Sequence, residues 1–126
     1  MAVRRILIVA ALAAAAAACG SSSSSPSSTT PPQTSTGGSA TVSIPTNART
    51  LGAASFGTNP LIVSTGTTVT WVNNDTIPHD TIADGGQWSS PVLSPGQSFQ
   101  FRFASAGTFT YKCTLHAGMV GTVTVQ

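Results

Sequence analysis

"SPGQSFQFRFASAGTFTYKCTLHAGMVGTVTV", residues 94–125, decides how this chain folds. Phe99, Phe101 and Phe103 alternate with Gln100 and Arg102, the period-2 pattern of a strand with one buried face. "TFTYKC", 108–113, repeats the alternation with Phe109, Tyr111 and Cys113 on one side, and "GTVTV", 121–125, is a further apolar run. Turn signals at Ser94-Pro95-Gly96 and Ala106-Gly107 separate the runs. Between the last two, Cys113, His116 and Met119 fall within seven positions. Two strands therefore flank a loop that carries a thiol, an imidazole and a thioether.

Upstream the same grammar continues. "TTVTWVNN", 67–74, places Val69 and Trp71 on one face, and "HDTIAD", 79–84, reads as a strand after a turn over Asp75 to Pro78. "ATVSI", 40–44, and "PLIV", 60–63, are short strand candidates, with turn signals at Asn59-Pro60 and Gly85-Gly86. No segment from residue 40 onward has helical periodicity. The fold class is all-β, and several short strands at this spacing suggest a β-sandwich with the phenylalanine stripe in its core.

The first 39 positions differ in kind. Residues 1–18 read as a secretion signal, with Arg4 and Arg5 ahead of an apolar run that is too short for a comfortable membrane span. Cys19 follows at once, an arrangement that resembles a bacterial lipoprotein signal, although Ala16 stands where Leu is usual. That resemblance implies a lipidated Cys19 as a membrane anchor. Residues 20–39 are rich in Ser, Thr, Pro and Gly, have no apolar face to bury, and read as a disordered tether. The structured domain is then 40–126. The formal charge of +2 resides in the signal, because Arg49, Arg102 and Lys112 balance Asp75, Asp80 and Asp84 beyond it. A neutral domain without a basic patch argues against nucleic acid as a partner.

The metal-capable residues of the domain are few. Besides Cys113, His116 and Met119 there is one other histidine, His79, 34 residues before the cysteine. Taken singly, each is an ordinary core or surface residue. Together they supply a thiolate, two imidazoles and a thioether, the blue-copper donor set. Zinc is the rival, but Met119 is a poor donor to it. A nucleophilic Cys113–His116 pair is a further alternative, without an oxyanion motif to accompany it. Cys113 is also a lone thiol in an exported domain, and ligating a metal would protect it.

"VTWVNNDTIPHD", 69–80, and 94–125 together resemble the cupredoxins, the group of plastocyanin, pseudoazurin and amicyanin. The C-x-x-H-x-x-M spacing is that of amicyanin, and the resemblance covers essentially all of 40–126. It implies a Greek-key β-sandwich holding one type 1 copper ion. It also implies the ligand roles: His79 and His116 as imidazole ligands, Cys113 as the thiolate and Met119 as the axial ligand. A one-electron carrier, not an enzyme, would follow, cycling Cu(I) and Cu(II) between redox protein partners. Pro78, Leu115, Ala117 and Gly118 would form the docking patch around His116. Two departures stand out: Asp80 where Asn is common after the first histidine, and Ala117-Gly118 where a proline is common. The expectation is a monomer, exported and anchored through Cys19. The alternatives are a copper-delivery protein without electron transfer and a small open-site copper enzyme.

Overall fold

A computed structural model describes residues 37–126. The signal, Cys19 and the tether up to residue 36 lie outside the described residues. Seven strands are present among them: β1 (Ser39–Ile44), β2 (Leu61–Val63), β3 (Thr68–Asn73), β4 (Ile82–Ala83), β5 (Ser98–Arg102), β6 (Gly107–Lys112) and β7 (Val120–Val125). They form two sheets, β1-β3-β5 and β2-β7-β6-β4. Successive strands alternate between the sheets from β1 to β6. Only the β6–β7 connection joins paired neighbours, with Lys112 opposite Val120. That connection is the loop of Cys113, His116 and Met119, so the ligand-bearing loop is closed by the ladder beneath it.

The period-2 pattern is realised as burial. Val69, Trp71 and Asn73 of β3 are buried, while Thr68, Thr70 and Val72 are half-buried. Trp71, Trp88, Phe103 and Tyr111 form the centre of the core, with the half-buried Phe99, Phe101 and Phe109 packed against it. The Trp71 ring lies 5.6 Å from Tyr111 in an edge-on arrangement and 5.2 Å from Trp88. Truncating a buried aromatic of this kind typically costs about 3–5 kcal/mol. On β7, a Cβ at Gly121 would run into the Tyr111 ring. Glycine there lets Tyr111 lie across the neighbouring strand, one step below Cys113.

The structure departs from the sequence expectation in three places. The run 79–84 pairs as a strand only at Ile82–Ala83; His79 instead makes an isolated bridge to Leu93. The stretch after β1 contains two single-turn 3-10 helices, Ala48–Thr50 and Gly52–Ala54, too short to show a period. They lead to Phe56, which is fully buried and packs edge-on to Tyr111 at 4.7 Å. The first strand begins at Ser39, at the end of the stretch expected to be tether.

Candidate metal centre

Cys113 follows directly on β6 and continues its inward face, so its side chain is buried. Its backbone N–H donates to the Met119 carbonyl at 3.1 Å, which closes the loop from 113 to 119 into a tight ring. Gly118 has φ +83, a left-handed turn that suits glycine, and it returns the chain so that Met119 is fully buried. Proline holds φ near −65°. It would not fit at 118, which accounts for part of the loop's departure from the proline pattern. Thr114, Leu115, Ala117 and Gly118 are exposed, and His116 is half-buried among them.

His79 comes from the crossover between β3 and β4 and is fully buried. Its backbone is pinned on both sides, the N–H donating to Leu93 O at 3.1 Å and the carbonyl accepting from Leu93 N at 2.7 Å. Before it, Asn73 turns the buried face of β3 to polar use. Its amide donates to the carbonyls of Ile77 and Leu93, each at 2.8 Å, and its oxygen accepts from the Asp75 N–H at 2.9 Å. Asp75 is buried too, and Oδ2 lies 2.9 Å from His79 Nε2. After the histidine, Asp80 Oδ1 accepts from the Thr114 N–H at 2.6 Å, and Oδ2 accepts from the Thr114 hydroxyl. Asp80 therefore ties the segment of His79 to the loop of Cys113 directly.

These supports bring three donors together. The Cys113 Sγ lies 3.8 Å from His79 Nδ1 and 3.6 Å from His116 Nδ1, and the three atoms are within 4.8 Å of one another. The two imidazole centroids are 4.8 Å apart. Burial pushes the Cys113 thiol above its ordinary range; the Asp80 carboxylate adds to the rise, while the backbone N–H groups of Asp80 and Leu115 oppose it. A thiolate is the ligand form, so metal binding here releases a proton. Burial also raises the Asp75 carboxyl, but bonds from His79 and from the backbone of Thr76, Asn47 and Ala48 outweigh it and bring it down to about 2. A soft sulfur with two imidazole nitrogens, beside a buried thioether-bearing residue, fits copper better than the harder divalent ions.

Residues 44–126 match the copper-binding proteins of the plastocyanin/azurin family. The chain belongs to that family. It is similar to a plastocyanin of Scenedesmus fuscus, 38% identical over 88 residues that cover 60% of this chain and 90% of that protein. It is also similar to an amicyanin of Paracoccus denitrificans, 33% identical over 56% of this chain and 58% of that protein, so it spans under two thirds of that relative's length. Among solved structures, a purple cupredoxin from Nitrosopumilus maritimus is similar at a TM-score of 0.63 and 34% identity, covering 69% of this chain and 99% of that one. An oxidized amicyanin variant gives a TM-score of 0.59 at 30% identity, over 71% of this chain and 83% of that one.

Of the four sequence-predicted residues, the structure brings His79, Cys113 and His116 into one cluster, and Met119 closes the loop that carries the latter two. Sequence reasoning missed Asp75 and Asn73. The signal was present, a buried-face Asn followed by an Asp four residues before the histidine in "NNDTIPH", but it read as a turn.

Proposed function

We propose that the protein is a one-electron carrier in which His79, Cys113, His116 and Met119 hold a single copper ion. The observation that supports this reading is the asymmetry of the cluster: Cys113, His79 and Met119 are buried, while His116 is half-buried in an exposed loop. Copper bound by such donors supplies a Cu(I)/Cu(II) couple whose geometry changes little on electron transfer. His116 would then be the ligand through which charge reaches the surface, and the exposed Leu115, Ala117, Gly118 and Pro78 around it would receive a redox protein partner. Four protein donors leave no evident open position, which favours a carrier over a catalyst. Domain 40–126 would be exported and held near a membrane through Cys19 and its tether, acting as a monomer. Among the described residues no helix is long and apolar enough to cross a membrane.

The test is an absorption and EPR spectrum of the copper-loaded protein, followed by a redox titration. An intense blue band with a reversible one-electron couple is expected. A pale or red complex, or copper that leaves on reduction, would favour an open-site enzyme or a delivery protein instead. For the anchor, Cys19→Ser is expected to move the protein from membrane to soluble fractions.

A further inference from the structure

The neighbourhood of Asp75 is unusual for an acidic side chain in so uncharged a domain. Its carboxylate is 2% exposed and faces donors on every side. Oδ1 accepts from the Asn47 N–H at 3.1 Å and from the Thr76 N–H at 2.7 Å. Oδ2 accepts from the Ala48 N–H at 3.1 Å and lies 2.9 Å from His79 Nε2. Backbone N–H groups can only donate, so three of the four contacts favour the carboxylate form. A carboxylate is a far weaker base than an imidazole, so a proton shared between Oδ2 and Nε2 rests on the nitrogen. The group that meets Oδ2 from His79 must therefore be an N–H.

We propose that Asp75 is a positioning residue for the metal centre: it holds His79 as the Nε2–H tautomer, so that the Nδ1 lone pair faces Cys113 before any metal arrives. In a neutral imidazole one nitrogen donates and the other accepts, so protonation at Nε2 leaves Nδ1 bare. That is the nitrogen 3.8 Å from Cys113 Sγ. The same carboxylate gathers the turn at Asn47, whose φ of 62 is left-handed, and the buried Ala48. A turn that supplies no ligand, 32 residues before His79 at Asn47, is thereby fastened to a ligand ring. The importance of this for copper rests on the carrier reading above; the tautomer itself does not.

The substitution Asp75→Asn separates these roles because an amide has one acceptor oxygen. With the NH2 group in the place of Oδ1, it opposes two backbone donors that cannot adapt. With NH2 in the place of Oδ2, it opposes Ala48 N–H, and His79 can adapt only by moving its proton to Nδ1. That move places an N–H where the metal is to bind. Ligand-supporting bonds of this kind are typically worth about 10–100-fold in metal affinity.

The experiment is long-range proton–nitrogen NMR of the imidazoles in the metal-free chain, wild type and Asp75→Asn, followed by Cu(II) titration of both. The wild type is expected to show His79 protonated at Nε2 and bare at Nδ1. The variant is expected to shift the proton toward Nδ1 and to bind Cu(II) about 10–100-fold more weakly, with the His116 ring unchanged. A wild type protonated at Nδ1 overturns the proposal and needs no variant to fold. A folded variant that keeps Nε2–H and binds copper within twofold of the wild type overturns it as well. Failure of the carrier reading is distinct: it appears as a missing blue band while the metal-free tautomer stands.

Discussion

The two segments that meet at the metal centre are built in opposite ways. The loop from Cys113 to Met119 holds three of the four proposed ligands within seven residues, is largely exposed, and is closed by one backbone bond between its ends. The segment from Asn73 to Asp80 holds one ligand, is buried at Asn73, Asp75, His79 and Asp80, and is dense with side-chain hydrogen bonds. The difference teaches a division of labour. A short loop between paired strands brings donors together by sequence alone. A single donor delivered across the sandwich needs a scaffold, because its crossover has no ladder to set its position. Asp80 then transmits that scaffold to the short loop through Thr114.

The comparison can be broken most decisively at the loop. Cys113→Ser is expected to abolish the blue band entirely while far-ultraviolet circular dichroism stays that of a folded β protein; a serine variant that remains blue would show that the sulfur is not the ligand. The scaffold comes next. Asn73→Ala takes the partner from the Ile77 carbonyl and the Asp75 N–H and one of two donors from the Leu93 carbonyl, and is expected to destabilise the metal-free protein by about 2–4 kcal/mol in a urea titration. If its midpoint matches the wild type, the upstream segment is not held by its polar bonds and the proposed division of labour fails.

Smaller effects sharpen the contrast. Met119→Leu conserves volume in a fully buried position, so the fold and colour are expected to survive. The reduction potential should rise because a donor to Cu(II) is lost; loss of all copper would contradict a weak axial role. Asp80→Asn is better tolerated than the same change at Asp75. An amide can accept from Thr114 N–H with its oxygen and donate to the Thr114 hydroxyl with its nitrogen. Voltammetry should show a rise on the order of tens of millivolts, since a buried negative charge that favours Cu(II) is removed. Equal potentials would mean that the carboxylate is not felt at the metal. Lys112 adjoins Cys113 but is exposed and paired with Asp84 at 3.1 Å. Lys112→Ala should leave the potential within the error of the measurement, because solvent screens it. A shift as large as that of Asp80→Asn would show that proximity along the chain, not burial, governs the tuning.

The strands were legible where alternation is strict and local. Phe99 to Phe103, Val69 with Trp71, and Phe109 to Cys113 lie within elements that the structure confirms to within a residue or two. The stretch from His79 to Asp84 was less so, since His79 takes its partner Leu93 from a bridge that no period reveals. The helical turns before Phe56 are too brief to leave a pattern, and Phe56 joins the core through tertiary packing on Tyr111.

Sequence by itself determined the all-β class, the short loop and the soft side chains that it carries, because period, turn chemistry and C-x-x-H-x-x-M spacing are properties of neighbouring residues. It also singled out His79, as the one other histidine in a domain poor in such groups. Tertiary structure alone decided the order of strands in each sheet and the use of Asn73 and Asp75. A carboxylate becomes a support for a ligand only when backbone 27 residues away turns its N–H toward it. Side-chain hydrogen bonds between distant segments leave no spacing in the chain, since what selects them is burial, and burial exists only once the two sheets have closed.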